Sequence, residues 1–179
     1  IDENVKPLRD ADLEWADVVL TSGMIIHWDS LEKVIQRANA HGKPVLAGGP
    51  LATQYFNDIK GDATFFLGEA EQGFVETLDE IVKQGFTPGK RVVDKRKKFG
   101  SLNNTPLQRF DLIRLQDYAS IGLQITRGCP EPCTFCNIPS LYGKETRLKS
   151  ASKFVQELQL LYDLDWRGSI MIVDDNIVG

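Results

Sequence analysis

The chain has 179 residues, with 21 Lys and Arg against 25 Asp and Glu and a net charge of −4. That balance does not suggest a nucleic-acid surface, and no apolar run approaches the length needed to cross a bilayer. Hydrophobic residues at 42% and charged residues at 26% are ordinary globular usage, with enough chain for one core or for one domain and part of another.

Asp17 to Ser22 reads as a buried strand and runs into Gly23 and Met24. Ser30 to Ala40 carries Leu31, Val34, Ile35 and Ala38 at helical spacing, and His41-Gly42 ends that helix. Pro44 to Ala47 is the next strand and leads into Gly48, Gly49 and Pro50. Ala63 to Leu67 follows, then Gly68 and Glu69, then a helix with Phe74, Leu78, Ile81 and Val82. Strands alternating with helices at this length predict an α/β fold, a parallel, doubly wound (Rossmann-like) sheet. Gly23, Gly48, Gly49 and Gly68 all follow strands, where they allow tight turns or close backbone approach to a ligand. Turn glycines with no ligand are the plainer reading. Neither G-x-G-x-x-G nor a P-loop is present, so a phosphate cradle of the usual kind is unsupported.

Residues 86–118 read as a linker, Gly/Pro-flanked and holding the basic cluster Lys90, Arg91, Lys95, Arg96, Lys97 and Lys98; such charge runs usually mark solvated segments. Ile121 to Thr126 alternates as a short strand does. Lys149 to Tyr162 reads as a helix capped by Ser150 or Ser152, with Phe154, Val155, Leu158, Leu161 and Tyr162 on one face. After Gly168, Ser169 to Asp175 is an apolar run ending in two acids. Strand, long loop, helix and strand predict a parallel βαβ unit, and sites in such folds lie at the carboxyl ends of the strands. The loop after Thr126 and the trio Asp174, Asp175 and Asn176 both occupy that edge.

That loop holds all three cysteines of the chain, Cys129, Cys133 and Cys136, spaced C-x3-C-x2-C. An odd count argues against a disulfide framework. A structural zinc site wants four ligands, and His27 and His41 lie far upstream. Three thiolates on one loop instead suit three irons of a cubane cluster, leaving the fourth iron open to a small molecule. Zinc and a vestigial loop are the alternatives.

The run Arg127-Gly-Cys-Pro-Glu-Pro-Cys-Thr-Phe-Cys136 resembles the signature of the radical S-adenosylmethionine (SAM) superfamily. The wider pattern, from Gln124-Ile-Thr-Arg-Gly-Cys129 through Leu141-Tyr-Gly-Lys144 to Val173-Asp-Asp-Asn176, is similar to a narrower group: radical SAM proteins with an N-terminal cobalamin-binding domain, including hopanoid C-methylase-like enzymes. The resemblance implies a [4Fe–4S] cluster on Cys129, Cys133 and Cys136, with SAM chelated at the open iron. It implies SAM contacts from Phe135, near the adenine, and from Asp174, Asp175 and Asn176. For the first part of the chain it implies cobalamin lined by Ser22, Gly23, Met24, Gly48, Gly49, Gly68 and Glu69. The D-x-H-x-x-G run that supplies a cobalt-ligating His elsewhere is absent, which argues against a His ligand more than against cobalamin, and His27 reads as a surface histidine.

The expected domains are therefore 1–85, an incomplete cobalamin-binding-like domain; 86–118, the linker; and 119–179, the start of a radical SAM partial TIM barrel. The chain opens at Ile1 rather than Met and is expected to be truncated at both ends, and inactive as a fragment. The implied activity is methylation of an unactivated carbon of a small-molecule or lipid substrate, with an electron donor such as flavodoxin or ferredoxin, in the cytoplasm. A non-methylating, anaerobic cyclase-like enzyme, a non-catalytic cobalamin or iron–sulfur module, and an electron carrier with a closed cluster are the other readings.

Overall fold

The computed structural model describes residues 1–177. The chain divides into two units, one over Asp2–Phe99 and one over Gly100–Gly179 together with Ile1. Among the described residues no helix is long and apolar enough to cross a membrane.

The first unit is built on four parallel strands in the order β1-β2-β3-β4: β1 (Val19–Ser22), β2 (Val45–Gly48), β3 (Thr64–Leu67) and β4 (Arg91–Asp94). Alternation along the strands sends side chains to both faces, and both faces are covered. Val45, Ala47, Phe65 and Leu67 meet Leu31, Ile35 and Ala38 of α2 (Trp28–Ala40) and Leu51 and Ala52 of α3 (Gly49–Tyr55). Leu13, from α1 (Asp10–Trp15), joins this cluster. Leu46 and Phe66 point the other way, onto Phe74, Leu78 and Ile81 of α4 (Phe74–Gln84). Helices on both faces of a parallel sheet make the doubly wound α/β architecture expected from the sequence.

Four details differ from the sequence expectation. β1 is not a buried strand: among the described residues it pairs with β2 alone, and Leu20 stays 50% exposed. Residues 49–55, for which no helix is expected from the sequence, form α3, with Pro50 in its first turn where a missing N–H costs nothing. Val82 faces solvent although α4 forms as expected. The segment 86–118 is not wholly a linker, because Arg91–Asp94 pairs with β3 from Thr64↔Arg91 to Leu67↔Asp94. Three of its basic side chains are partnered within the first unit. Arg91 bonds Glu80 at 2.6 Å, Lys90 Nζ donates to the carbonyls of Phe56 and Asn57, and Arg96 pairs with Asp94 at 2.5 Å.

In the second unit β5 (Ser120–Leu123) pairs in parallel with β8 (Ser169–Ile172), with α6 (Ala151–Asp163) between them in the chain. This is the expected βαβ unit. Ser150 caps α6, its Oγ accepting from Lys153 N–H at 3.2 Å. The strand expected over 121–126 breaks at Gln124-Ile125. Its remainder, β6 (Thr126–Arg127), pairs antiparallel with β7 (Arg147–Leu148). The buried face of α6 is Phe154, Glu157, Leu158 and Leu161, whereas Val155 and Tyr162 are both 59% exposed. Those four positions follow the i, i+3, i+4, i+7 rule, and one of them is a carboxylate.

Glu157 is completely buried and is satisfied by Lys149, whose Nζ lies 2.7 Å from both carboxylate oxygens. Lys149 is itself buried and follows β7 directly, and its backbone N–H donates to Ile125 O at 2.8 Å. The pair therefore ties the returning end of the cysteine loop to α6.

Candidate metal centre

The cysteine loop leaves from β6 and returns through α5 (Ile138–Tyr142) to β7. Pairing of β6 with β7 brings its two ends together, so the three cysteines sit on a closed loop rather than an open excursion. Gly128 stands at the exit with φ +91°. A Cβ there would fall on the carbonyl oxygen of Glu145 well inside contact distance, and lie 3.1 Å from Tyr142 O and 3.2 Å from Gly143 O. Cys129 N–H donates to Gly143 O at 3.2 Å, and Cys136 N–H closes a turn onto Cys133 O at 3.1 Å. Substituting Gly128→Ala should cost at least about 1–3 kcal/mol, the scale of a non-glycine residue held in a forbidden region plus a backbone clash. Urea denaturation of the intact protein measures it, and a variant as stable as wild type would show that the loop closes differently.

The end of β8 is bonded to the outgoing arm of the same loop. Asp174 Oδ1 accepts from Ile125 N–H at 2.7 Å, Asp175 Oδ2 accepts from Gly128 N–H at 3.3 Å, and Thr126 Oγ1 donates to Asn176 O at 3.0 Å. Asn176 Nδ2 lies 3.6 Å from Cys129 Sγ. Burial pushes the Asp175 carboxyl above its usual range; the Gly128 N–H and the Arg127 charge oppose that rise, and the neighbouring Asp174 adds to it. Asp174 Oδ2 is buried and has no hydrogen-bond partner among the described residues. An orphaned carboxylate oxygen at a strand end is costly unless something donates to it.

All three thiols are free: Cys129 is buried, Cys133 exposed and Cys136 between the two. Among the described residues no three Cys, His, Asp or Glu side chains converge as they would around one metal ion. A cubane takes its thiolates on separate irons, so it needs three thiols on one closed loop rather than convergence on a point. The donor chemistry of this loop fits that demand. Phe135, beside Cys136, is 92% exposed, an aromatic face left for water or for a planar ligand.

No protein-family model matches the chain. Over its whole length it is 37% identical to an uncharacterized methyltransferase of Synechocystis sp., across 33% of that protein. It is 31% identical to the hopanoid C-2 methylase of Rhodopseudomonas palustris, again over its whole length and 34% of the relative. Over 99% of the chain it is 24% identical to a bacteriochlorophyllide d C-12(1)-methyltransferase of Chlorobaculum tepidum, covering 40% of that enzyme.

The chain belongs to the cobalamin-dependent radical SAM family of these methylases. It spans about a third of the length of the first two relatives, 33% and 34%.

In this radical SAM chain the residues expected to line cobalamin gather at one edge of the first unit. Ser22 ends β1, Gly48 ends β2, and Gly68 and Glu69 follow β3, all at the carboxyl edge of the sheet. Glycine has a fold-level reason at some of these sites. A Cβ at Gly68, where φ is +109°, would lie 2.9 Å from the Lys95 carbonyl carbon; one at Gly49 would lie 3.1 Å from Ser22 Cβ. Gly48 is different. Its backbone is extended, and a Cβ would meet only Phe66 O, at an ordinary 3.6 Å. The fold does not explain its missing side chain, whereas a ligand approaching the backbone closely would.

Glu69 is 4% exposed, and Met24 is 55% exposed. Gly23 packs against the side chain that follows it: a Cβ there would lie 3.1 Å from His27 Cβ. His27 Nδ1 accepts from Met24 N–H at 3.1 Å, so this ring caps its own short turn. Sequence reasoning missed Thr126, Lys149 and Glu157. A Lys and a Glu eight positions apart, one of them on the apolar face of a helix, were the signal available for the buried pair.

Proposed function

We propose that this chain is the cofactor-binding part of a methyltransferase that holds a [4Fe–4S] cluster on Cys129, Cys133 and Cys136, SAM beside it, and cobalamin on the carboxyl edge of the four-stranded sheet. The observation that carries the proposal is the closed three-cysteine loop bonded to a strand end that presents the unpartnered Asp174 Oδ2. When bound, these cofactors supply one-electron and methyl-transfer chemistry, and the protein supplies binding and orientation.

The residues divide that work. Asp174 Oδ2 accepts from an N–H or O–H donor of SAM, its ammonium or a ribose hydroxyl. Phe135 offers its exposed ring to the adenine. Gly48 lets the corrin or its nucleotide tail approach the backbone, with Ser22, Gly23, Met24, Gly49, Gly68 and Glu69 around it. An unactivated carbon of a small molecule or lipid is the methyl acceptor, and a flavodoxin- or ferredoxin-like protein is the electron source.

Addition of SAM to the reduced, reconstituted intact protein should change the electron paramagnetic resonance (EPR) spectrum of its cluster. Asp174→Asn keeps an acceptor for Ile125 N–H but turns an N–H toward the SAM donor, and should weaken SAM binding about tenfold, the scale of one lost charge-assisted hydrogen bond. A spectrum indifferent to saturating SAM would mark a closed electron-transfer cluster and end this reading.

A further inference from the structure

The side-chain amide of Asn176 has two ends of opposite polarity, and the end facing Cys129 Sγ is Nδ2, at 3.6 Å. Sulfur is larger than oxygen, so this is hydrogen-bond range for N–H···S. A thiolate attracts an N–H and repels a carbonyl, so ionised Cys129 favours this orientation. The donor is held in place from both sides. Thr126 Oγ1 donates to the backbone carbonyl of Asn176, while Asp175 and Asp174 accept from Gly128 N–H and Ile125 N–H, so the main chain that carries the amide is fixed. Cys129 is the buried member of the three, whereas Cys133 stands in solvent. Cys129 is thus the ligand whose electrostatic surroundings the protein sets.

We propose that Asn176 is a positioning residue that donates to the ligand sulfur of Cys129 and raises the reduction potential of the cluster. This rests on the cluster reading above. It stands beside the sequence expectation of a SAM contact for Asn176, because a side-chain amide carries two N–H groups and an acceptor oxygen and sulfur takes one N–H. A hydrogen bond to a ligand sulfur draws off charge and favours the more negative, reduced form, which is one of the established ways proteins set such potentials. The transfer is one electron, from a low-potential donor to the cluster. The amide exchanges no proton.

The test is a redox titration of the anaerobically reconstituted intact protein, with dithionite as reductant and the EPR signal of the reduced cluster as readout. Asn176→Asp keeps the side-chain shape but puts an anionic acceptor where the donor was. With iron content unchanged, the reduced-to-oxidised ratio at fixed ambient potential should fall about tenfold, a shift of 59 mV for one electron. Asn176→Ala should fall in the same direction by less. A second measurement needs no variant: with asparagine side chains labelled with 15N, pulsed EPR of the wild-type cluster should detect a weak coupling to one amide nitrogen. Loaded variants with the wild-type potential would overturn the proposal and leave the cluster reading standing, as would a wild-type cluster without that coupling. Wild-type protein that takes up no iron would instead overturn the cluster reading itself, and this inference with it.

Discussion

Replacing any one of Cys129, Cys133 or Cys136 by Ala should abolish stable iron–sulfur loading. Wild-type protein reconstituted anaerobically with iron and sulfide should show a broad brown visible absorbance that bleaches on reduction, and each variant should lose it. A cubane already short of one protein ligand has no spare thiolate to replace a second. Cys133→Ala is the cleanest of the three. The residue is exposed, so its truncation should change folding stability by no more than about 0.5 kcal/mol, as at other surface sites. Loss of iron there, with an unchanged denaturation midpoint, is loss of a ligand and not of the fold. Cys129→Ala removes a buried side chain that also accepts from Asn176, and should lower stability as well as loading. Iron and sulfide analysis beside each spectrum decides the matter. Uptake of one tight zinc and no iron by the wild type would sink the radical SAM reading of the loop.

The second large effect belongs to a pair outside the proposed cofactor contacts. Lys149 and Glu157 are 5% and 0% exposed at the side chain and meet through two 2.7 Å bonds. Glu157→Ala leaves an ammonium buried without a counter-charge, and should destabilise the second unit by about 3–5 kcal/mol. A stability of about 5–15 kcal/mol is typical of a domain, so that is a large fraction of the whole. Replacing both together, Lys149→Met with Glu157→Leu, removes the charges and keeps volume in the core. The double variant should recover to within about 1 kcal/mol of wild type or exceed it, because the attraction of a buried pair roughly offsets its own desolvation. Unfolding free energies of Lys149→Met, Glu157→Leu and the double variant, from denaturant titration, give the coupling directly. Similar small losses in all three would mean that the pair is wetter than its geometry shows. Because Lys149 N–H also bonds Ile125 O, the single variants should lower iron loading too, through the mouth of the loop.

What the sequence by itself determined is local chemistry and periodicity. Three cysteines within eight residues are on one loop whatever the chain does around them, so the candidate ligands are legible from spacing alone. Leu31, Val34, Ile35 and Ala38 repeat with the helical period, and all four are buried in α2. Gly48, Gly49 and Gly68 could be placed at strand ends because strands and glycines are both short-range signals, and the sheet then aligned those ends along one edge.

Only the tertiary structure decided the rest, because it depends on partners distant in the chain. Arg91–Asp94 has the composition of a solvated basic segment and becomes a strand only because β3 offers it a ladder. Whether Val155 or Glu157 lies on the buried face of α6 turns on a Lys beyond the helix that makes a buried carboxylate tolerable. Asn176 reads in sequence as one more polar residue at a strand end. The separation of 47 positions from Cys129 hides a hydrogen bond to sulfur that periodicity cannot carry, since register between β5 and β8 and closure of β6 on β7 together set that distance.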